Sequence, residues 1–394
     1  MKRILCITII AVLLSSVFCV PAVAYVNPDY DNSPRVISLT IGSPYITING
    51  ETRAIDEAGS VPFIDNGRTM VPLRAIFEAF SLKVSWDDGV ITGTCGNTEI
   101  VLTVGSRIAF RNERWIQLEV APAIVNARTM VPLRFIAESL GAEVTWTAET
   151  QTIQIVQTPL YVELDGTRIN IGDAYSVVES MLGTPDRIDP SDSDYKWHVY
   201  NGDYSCFLMV GIKNGLVEAL YTNSRGFETN IAGYGDIQNK NNRKDGIALY
   251  YDSNDAYKAH AVMVVSMDTT PRREFDREYY KAQELQNFDA TNAFRVNHGL
   301  LPLVWNDLAA QTARKHSQDM ADRDYVDHIT PEGLNPGDRF RRNGGRSDDW
   351  AENIAAGYLL GVEAFDGLVN SESHRDAMLI PSLKYLGVGH GYNI

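Results

Sequence analysis

Apolar and polar positions change period along the chain, and each change marks a block. Ile4 to Val20 form an apolar run behind Lys2-Arg3 and ahead of Ala22-Val23-Ala24. That layout predicts a cleaved secretory leader over residues 1–24. The run is shorter than the roughly 20 residues a membrane-spanning helix needs. Phe18 precedes Cys19, where a lipoprotein signal has Gly or Ala. No later stretch is long and apolar enough to cross a bilayer.

From about 45 to 157 the pattern repeats with a shift of 60 positions. Arg68-Thr69-Met70-Val71-Pro72-Leu73-Arg74 recurs unchanged as Arg128-Thr129-Met130-Val131-Pro132-Leu133-Arg134. Ile76, Glu78, Val84 and Trp86 likewise match Ile136, Glu138, Val144 and Trp146. Pro72 and Pro132 are expected at the first helical position, where a missing N–H costs nothing. Leu73, Ile76 and Phe80 then share a helical face, as do Leu133, Ile136 and Leu140. Alternating strands follow at Lys83–Trp86 and Thr152–Ile155. One such unit is too small to bury its own apolar face, so the two are expected to pack together. Arg74 and Arg134 are spaced to pair with Glu78 and Glu138 one turn on.

The next block, 159–268, reads as a hairpin around Asp165-Gly166, a helix over Asp173–Leu182 closed by Gly183, and a series of strands. Those strands are Trp197–Tyr200, Phe207–Ile212, Val217–Tyr221, Ile247–Tyr251 and Ala261–Val265. Residues 269–277 read as a charged linker. The last block, 278–394, opens with a helix over Tyr279–His298. A second helix is capped by Asn306 and carries Leu308, Ala309, Ala313, His316 and Met320 on one face.

Hydrophobic residues make up 44% and charged residues 22%, enough for packed cores. Length and blocks together give an α+β multidomain chain. The net charge of −15 argues against a nucleic-acid partner, whose phosphates need clustered Lys and Arg. Cys6 and Cys19 fall in the leader. Cys95 and Cys206 lie in different blocks and are expected as buried thiols outside any disulfide.

Histidines first appear at His198. It alternates with Trp197 and Val199 in a strand and reads as structural. His316 lies on an apolar helical stripe, the setting of a buried imidazole bonded to backbone. His328 differs, lying in a polar loop where side chains reach a cleft. Glu352 lies between Ala351 and the apolar Ile354-Ala355-Ala356, so its carboxylate needs a partner. His374 follows Glu372 at an expected helix end, where an imidazole also suits the helix dipole.

These residues fall in an ordered series of motifs. They are His316-Ser317-Gln318-Asp319-Met320, Asp327-His328, Ala351-Glu352-Asn353-Ile354, Asn370-Ser371-Glu372-Ser373-His374-Arg375 and Gly387-Val388-Gly389. The series resembles the CAP superfamily, also called SCP-like, of cysteine-rich secretory, antigen 5 and pathogenesis-related proteins. That resemblance implies an α-β-α sandwich over 278–394 with His328, Glu352 and His374 lining one cleft. It also implies a divalent metal such as zinc as candidate cofactor, held by His328 and His374. Ser371 stands where animal relatives have a second Glu. The resemblance implies a last strand after Gly387-Val388-Gly389, which this sequence does not carry: either the reading frame is truncated or the sheet lacks that strand. The 159–268 block, with Leu182-Gly183-Thr184-Pro185-Asp186-Arg187, resembles the CAP-associated domain. The repeated 25–158 block resembles the copper amine oxidase N-terminal-like domain, a stalk module. Copper is not expected there: residues 1–197 contain no histidine, and the Asn-Tyr-acidic triplet of quinone-forming oxidases is absent.

Three readings stand open. One is a secreted or cell-surface binding module with an extracellular or cell-wall ligand. The second is a metal-assisted hydrolase with Glu352 as general base. The third is a structural envelope or spore-coat component. No Ser or Cys nucleophile occupies a defensible motif, so the chain is more readily a binder than an enzyme.

Overall fold

The computed structural model describes residues 34–80, 82–95, 98–111, 114–239, 246–266, 269–346 and 349–392. The leader, the terminal residues 393–394 and the side chain of Cys95 lie outside the described residues.

The repeat is visible as two copies of one chain path. The first runs β1 (Arg35–Thr40), β2 (Tyr45–Ile48), β3 (Glu51–Ala54), β4 (Phe63–Asp65), β5 (Arg68–Pro72), α1 (Leu73–Ala79), β6 (Lys83–Asp87) and β7 (Val90–Cys95). The second runs β8 (Thr98–Thr103), β9 (Ile108–Arg111), β10 (Arg114–Gln117), β11 (Ala123–Val125), β12 (Arg128–Pro132), α2 (Leu133–Ser139), β13 (Glu143–Thr147) and β14 (Thr152–Gln157). The identical Arg-Thr-Met-Val-Pro strands pair antiparallel, with Val71 opposite Val131. The repeat shift therefore becomes a pseudo-twofold axis through that pair. Each copy also lends strands to the other: the sheets run β13-β14-β1-β2-β3 and β10-β9-β8-β7-β6. A single apolar cluster joins both copies, from Ile37 and Phe77 to Ile136 and Ile155. Pro72 and Pro132 close their strands one residue before the helices, rather than opening the helices. Arg134 reaches Glu138 at 3.3 Å, whereas Glu78 is met by Arg53 at 3.8 Å.

The second block forms β15 (Tyr161–Leu164), β16 (Thr167–Asn170), α3 (Tyr175–Leu182), β17 (Arg187–Pro190), β18 (Lys196–Tyr200), β19 (Leu208–Lys213), β20 (Leu216–Thr222), β21 (Glu228–Thr229), β22 (Ile247–Asp252) and β23 (Lys258–Val265). Six of these make one sheet in the order β17-β18-β19-β20-β23-β22. Strand alternation gives the sheet two apolar faces. Val210, Leu220 and Val262 belong to the core shared with Val178 of α3. Trp197, Phe207, Tyr221 and Ala261 belong to a second core shared with the C-terminal helices. His198 lies half-buried with its ring edge-on to Tyr175 at 4.6 Å. Cys206 is half-buried rather than buried.

The C-terminal block runs α4 (Arg277–Asn297), β24 (Val304–Trp305), α5 (Asp307–Arg323), α6 (Pro336–Arg342), α7 (Gly361–Val369), α8 (Glu372–Met378) and β25 (Tyr385–Leu386). Among its described residues, the block's own sheet is the parallel pair β24–β25. After β25 the chain runs along α5. Gly387, Gly389 and Gly391 lie so close to the α5 backbone that a Cβ would fall within 2.1, 2.1 and 2.3 Å of it. A sheet layer against α4 and α7 is supplied by the preceding block. Ala290, Ala293, Phe294, Val362 and Phe365 share the core of its second face.

That junction is polar as well as apolar. Asp289 of α4 is fully buried and accepts from Arg187 at 2.7 Å and from Asn201 and Tyr204 at 2.8 Å. The segment expected as a linker is pinned too, with Arg272 N–H donating to the Asp192 carbonyl at 2.7 Å.

Candidate functional site

The Asp327-His328 loop is shaped by its own polar groups. Thr330 N–H donates to the Leu334 carbonyl at 3.1 Å, and Leu334 N–H returns to Thr330 Oγ1 at 3.2 Å. Asn335 and Asp338 then form a reciprocal capping box at the start of α6, with Pro336 in its first turn. This start turns Arg339 inward, where it is 8% exposed. Its Nη1 donates to the carbonyls of His328 and Leu334 at 2.7 and 3.0 Å. Its Nη2 donates to Glu352 Oε2. Glu352 Oε1 accepts from His328 Nδ1–H at 3.0 Å. Both carboxylate oxygens are therefore taken, one by a fixed guanidinium and one by an imidazole.

The structure thus brings His328 and Glu352 together. His374 is tied to the same segment only through its backbone, its carbonyl accepting from Asn353 Nδ2 at 2.9 Å. It lies in the first turn of α8, at the helix's N-terminal end, so it does not complement the C-terminal dipole. Ser371 is the N-cap residue of that helix. Among the described residues, no group of three or more His, Cys, Asp or Glu side chains is placed to hold a metal.

Glu352 does not fit as a direct ligand, since Arg339 covers one oxygen and its charge opposes a dication. His328 does fit, because a carboxylate on one ring nitrogen is the usual support for an imidazole that ligates through the other.

His316 behaves as the buried histidine expected. It is 3% exposed and its Nε2–H donates to the Asp327 carbonyl at 2.9 Å. Burial first, then the Arg339 charge, holds its pKa below the usual imidazole value, so the ring is neutral near pH 7. Its Nδ1 is buried with no partner. Beside it opens a cleft of about 1140 Å³ whose wall includes His316, Met320, Tyr325, Phe340, Glu352 and Asn353. Neither His328 nor His374 belongs to that wall.

Arg339 is the site residue that sequence reasoning missed. The signal was present: Asn335-Pro336 with Asp338 marks a helix start, and Glu352 needed a cation. Two residues of the Asn370–Arg375 motif serve elsewhere. Asn370 Oδ1 accepts from Ser253 N–H at 2.8 Å, and Arg375 pairs with Asp252 at 3.1 Å. Both reach into the preceding block.

Comparison with known families agrees with this layout. Residues 288–393 match the cysteine-rich secretory protein family, CAP. Residues 171–272 match the CAP-associated N-terminal family, and residues 57–155 the copper amine oxidase N-terminal domain. The C-terminal block is a CAP domain carried behind those two modules.

Among individual relatives, an uncharacterized membrane protein of Bacillus subtilis (strain 168), YlbC, is 28% identical over 284 residues, covering 58% of this chain and 82% of its own. A second uncharacterized protein of that organism, YkwD, is 34% identical over 139 residues, 35% of this chain and 52% of its own. The crystal structure of an extracellular protein containing an SCP domain from Bacillus anthracis str. Ames superposes with a TM-score of 0.50 at 25% identity, covering 56% of this chain and 90% of that one. Among the described residues no helix is long and apolar enough to cross a membrane.

Proposed function

We propose that the chain is an extracellular binding protein whose C-terminal cleft takes a small, largely apolar ligand. The commitment of both Glu352 oxygens carries this reading. A carboxylate pinned between Arg339 and His328 already accepts one bond on each oxygen and is held in a fixed orientation, which disfavours a general-base role. The cleft volume suits a ligand of drug size or a little larger. The extracellular setting is supported by the leader-like start of the sequence and by the extracellular relative. Ala356 lies exposed on the cleft wall, so Ala356→Trp narrows the cleft without disturbing the core. Saturable binding of the apolar dye anilinonaphthalene sulfonate is expected, weakened in A356W. Turnover of peptide or peptidoglycan that disappears in Glu352→Gln would instead make the protein a hydrolase.

A metal is a second reading, favoured by the carboxylate on Nδ1 of His328. In it, Nε2 of His328 and the ring of His374 are the protein ligands and Glu352 orients the first. Metal analysis of the purified chain before and after His328→Ala with His374→Ala tests it. Equal metal content in both ends that reading.

A further inference from the structure

The pseudo-twofold of the N-terminal domain provides an internal control. Strand for strand, the two five-stranded sheets correspond, and each turns one face to the shared core and the other to solvent. In the sheet β13-β14-β1-β2-β3, one register row crosses the open face as Thr145, Gln154, Ser38, Thr47 and Thr52. Every member is polar. In the sheet β6-β7-β8-β9-β10, the matching row is Ser85, Thr92, Val101, Phe110 and Trp115. The fold evidently needs no aromatic ring at the last two places, since its twin holds Thr47 and Thr52 there.

Trp115 is nevertheless 68% exposed and Phe110 42% exposed. They are Cα partners on neighbouring strands, so their side chains share one face. Val101 continues the strip toward Thr92 and Ser85. No charged residue stands in that row, although the chain carries a net charge of −15. An acidic chain repels polyanions, and the row itself holds no carboxylate for a cation to pair with. Its chemistry suits an uncharged partner with apolar ring faces and many hydroxyls.

We propose that this face is a docking platform for an uncharged glycan strand. Pyranose rings stack their C–H faces on Trp115 and Phe110, and their hydroxyls exchange hydrogen bonds with Ser85 and Thr92. Strands lie about 4.7–4.9 Å apart, so successive sugars of an extended chain meet successive strands. This site is separate from the C-terminal cleft, and its success or failure leaves the reading of that cleft unchanged.

The test is calorimetric titration of the whole chain with chitohexaose and with cellohexaose. The informative variant is Phe110→Thr with Trp115→Thr, because it copies residues the twin sheet already carries. Saturable binding of at least one sugar is expected, weakened about tenfold or more in the variant, with circular dichroism unchanged. Should that variant not fold, Trp115→Ala and Trp115→Phe replace it, with binding lost in the first and kept in the second. No heat from either sugar at millimolar concentration overturns the proposal, and so does equal affinity in wild type and variant. A self-associated chain that F110T/W115T turns monomeric, with no sugar bound, would make the face an interface between copies and equally overturn it.

Discussion

Arg339 carries a fixed charge into a site that is otherwise loop. It holds two backbone carbonyls and the Glu352 carboxylate at once. Arg339→Leu leaves that carboxylate with one partner and removes a donor from both carbonyls, of which Leu334 keeps Thr330 N–H. A loss of about 3–5 kcal/mol is expected, read from urea unfolding followed at the C-terminal domain. Arg339→Lys is expected to restore little, since an ammonium cannot reproduce the fork.

A second residue departs from its twin. The β4–β5 turn uses Asn66-Gly67, with φ of 46° and 76°, while the β11–β12 turn has Asn126-Ala127, with φ of 49° and 60°. The left-handed region costs Ala about 1–2 kcal/mol, and Gly gives part of that back through its freer unfolded chain. Ala127→Gly is therefore expected to stabilise the N-terminal domain by up to about 1 kcal/mol, visible as a raised thermal midpoint. The His328–Glu352 pair was legible because a carboxylate in an apolar setting demands a donor. Arg339 was not singled out, because one arginine among Arg341 and Arg342 carries no mark of burial until the helix face is known.

At the scale of elements, helices and strands followed apolar period closely. The helix expected over Tyr279–His298 is Arg277–Asn297, and the Asn306 cap is in place, accepting from Ala309 N–H at 2.8 Å. What period could not convey is which element covers which. The polar residues of α4, among them Asp289, Asn292 and Arg295, look like a solvent face in sequence and are buried in the structure. Asp289 is covered by the preceding block, while Asn292 bonds Leu303 and Arg295 bonds the carbonyls of Leu301, Met378 and Ile380 in their own block, and sequence spacing carries no trace of either. Arg187→Leu tests the junction. It strands Asp289 without its cation, whose burial already pushes its carboxyl pKa upward. A loss of about 3–5 kcal/mol is expected, with the second and third domains unfolding together. A loss confined to one of them in differential scanning calorimetry would show the junction to be passive.

Taken whole, the second and third domains behave as one body, held by Asp289, by the Asn370 and Arg375 contacts, and by His260 with Asp366 at 2.8 Å. Four imidazoles in this body have folded-state pKa values held down, chiefly by burial: His198, His298, His316 and His390. For a base held below its unfolded value, the stability it confers is complete above that unfolded value. It is lost as pH falls through the lowered folded value. Stability of this body should therefore be flat above about pH 6.5 and begin to fall just beneath it. Asp192, Asp289 and Glu363 are pushed upward by burial and act in the opposite sense, but nearer the carboxylate range. The early part of the fall thus belongs to the imidazoles. His316→Gln keeps a donor for the Asp327 carbonyl and removes the titrating ring. It is expected to flatten the pH 6.5 to 5.5 segment by up to about 1.4 kcal/mol, measured as denaturation midpoints at half-unit pH steps. An unchanged slope in H316Q would mean that ring is already free to protonate in the folded protein.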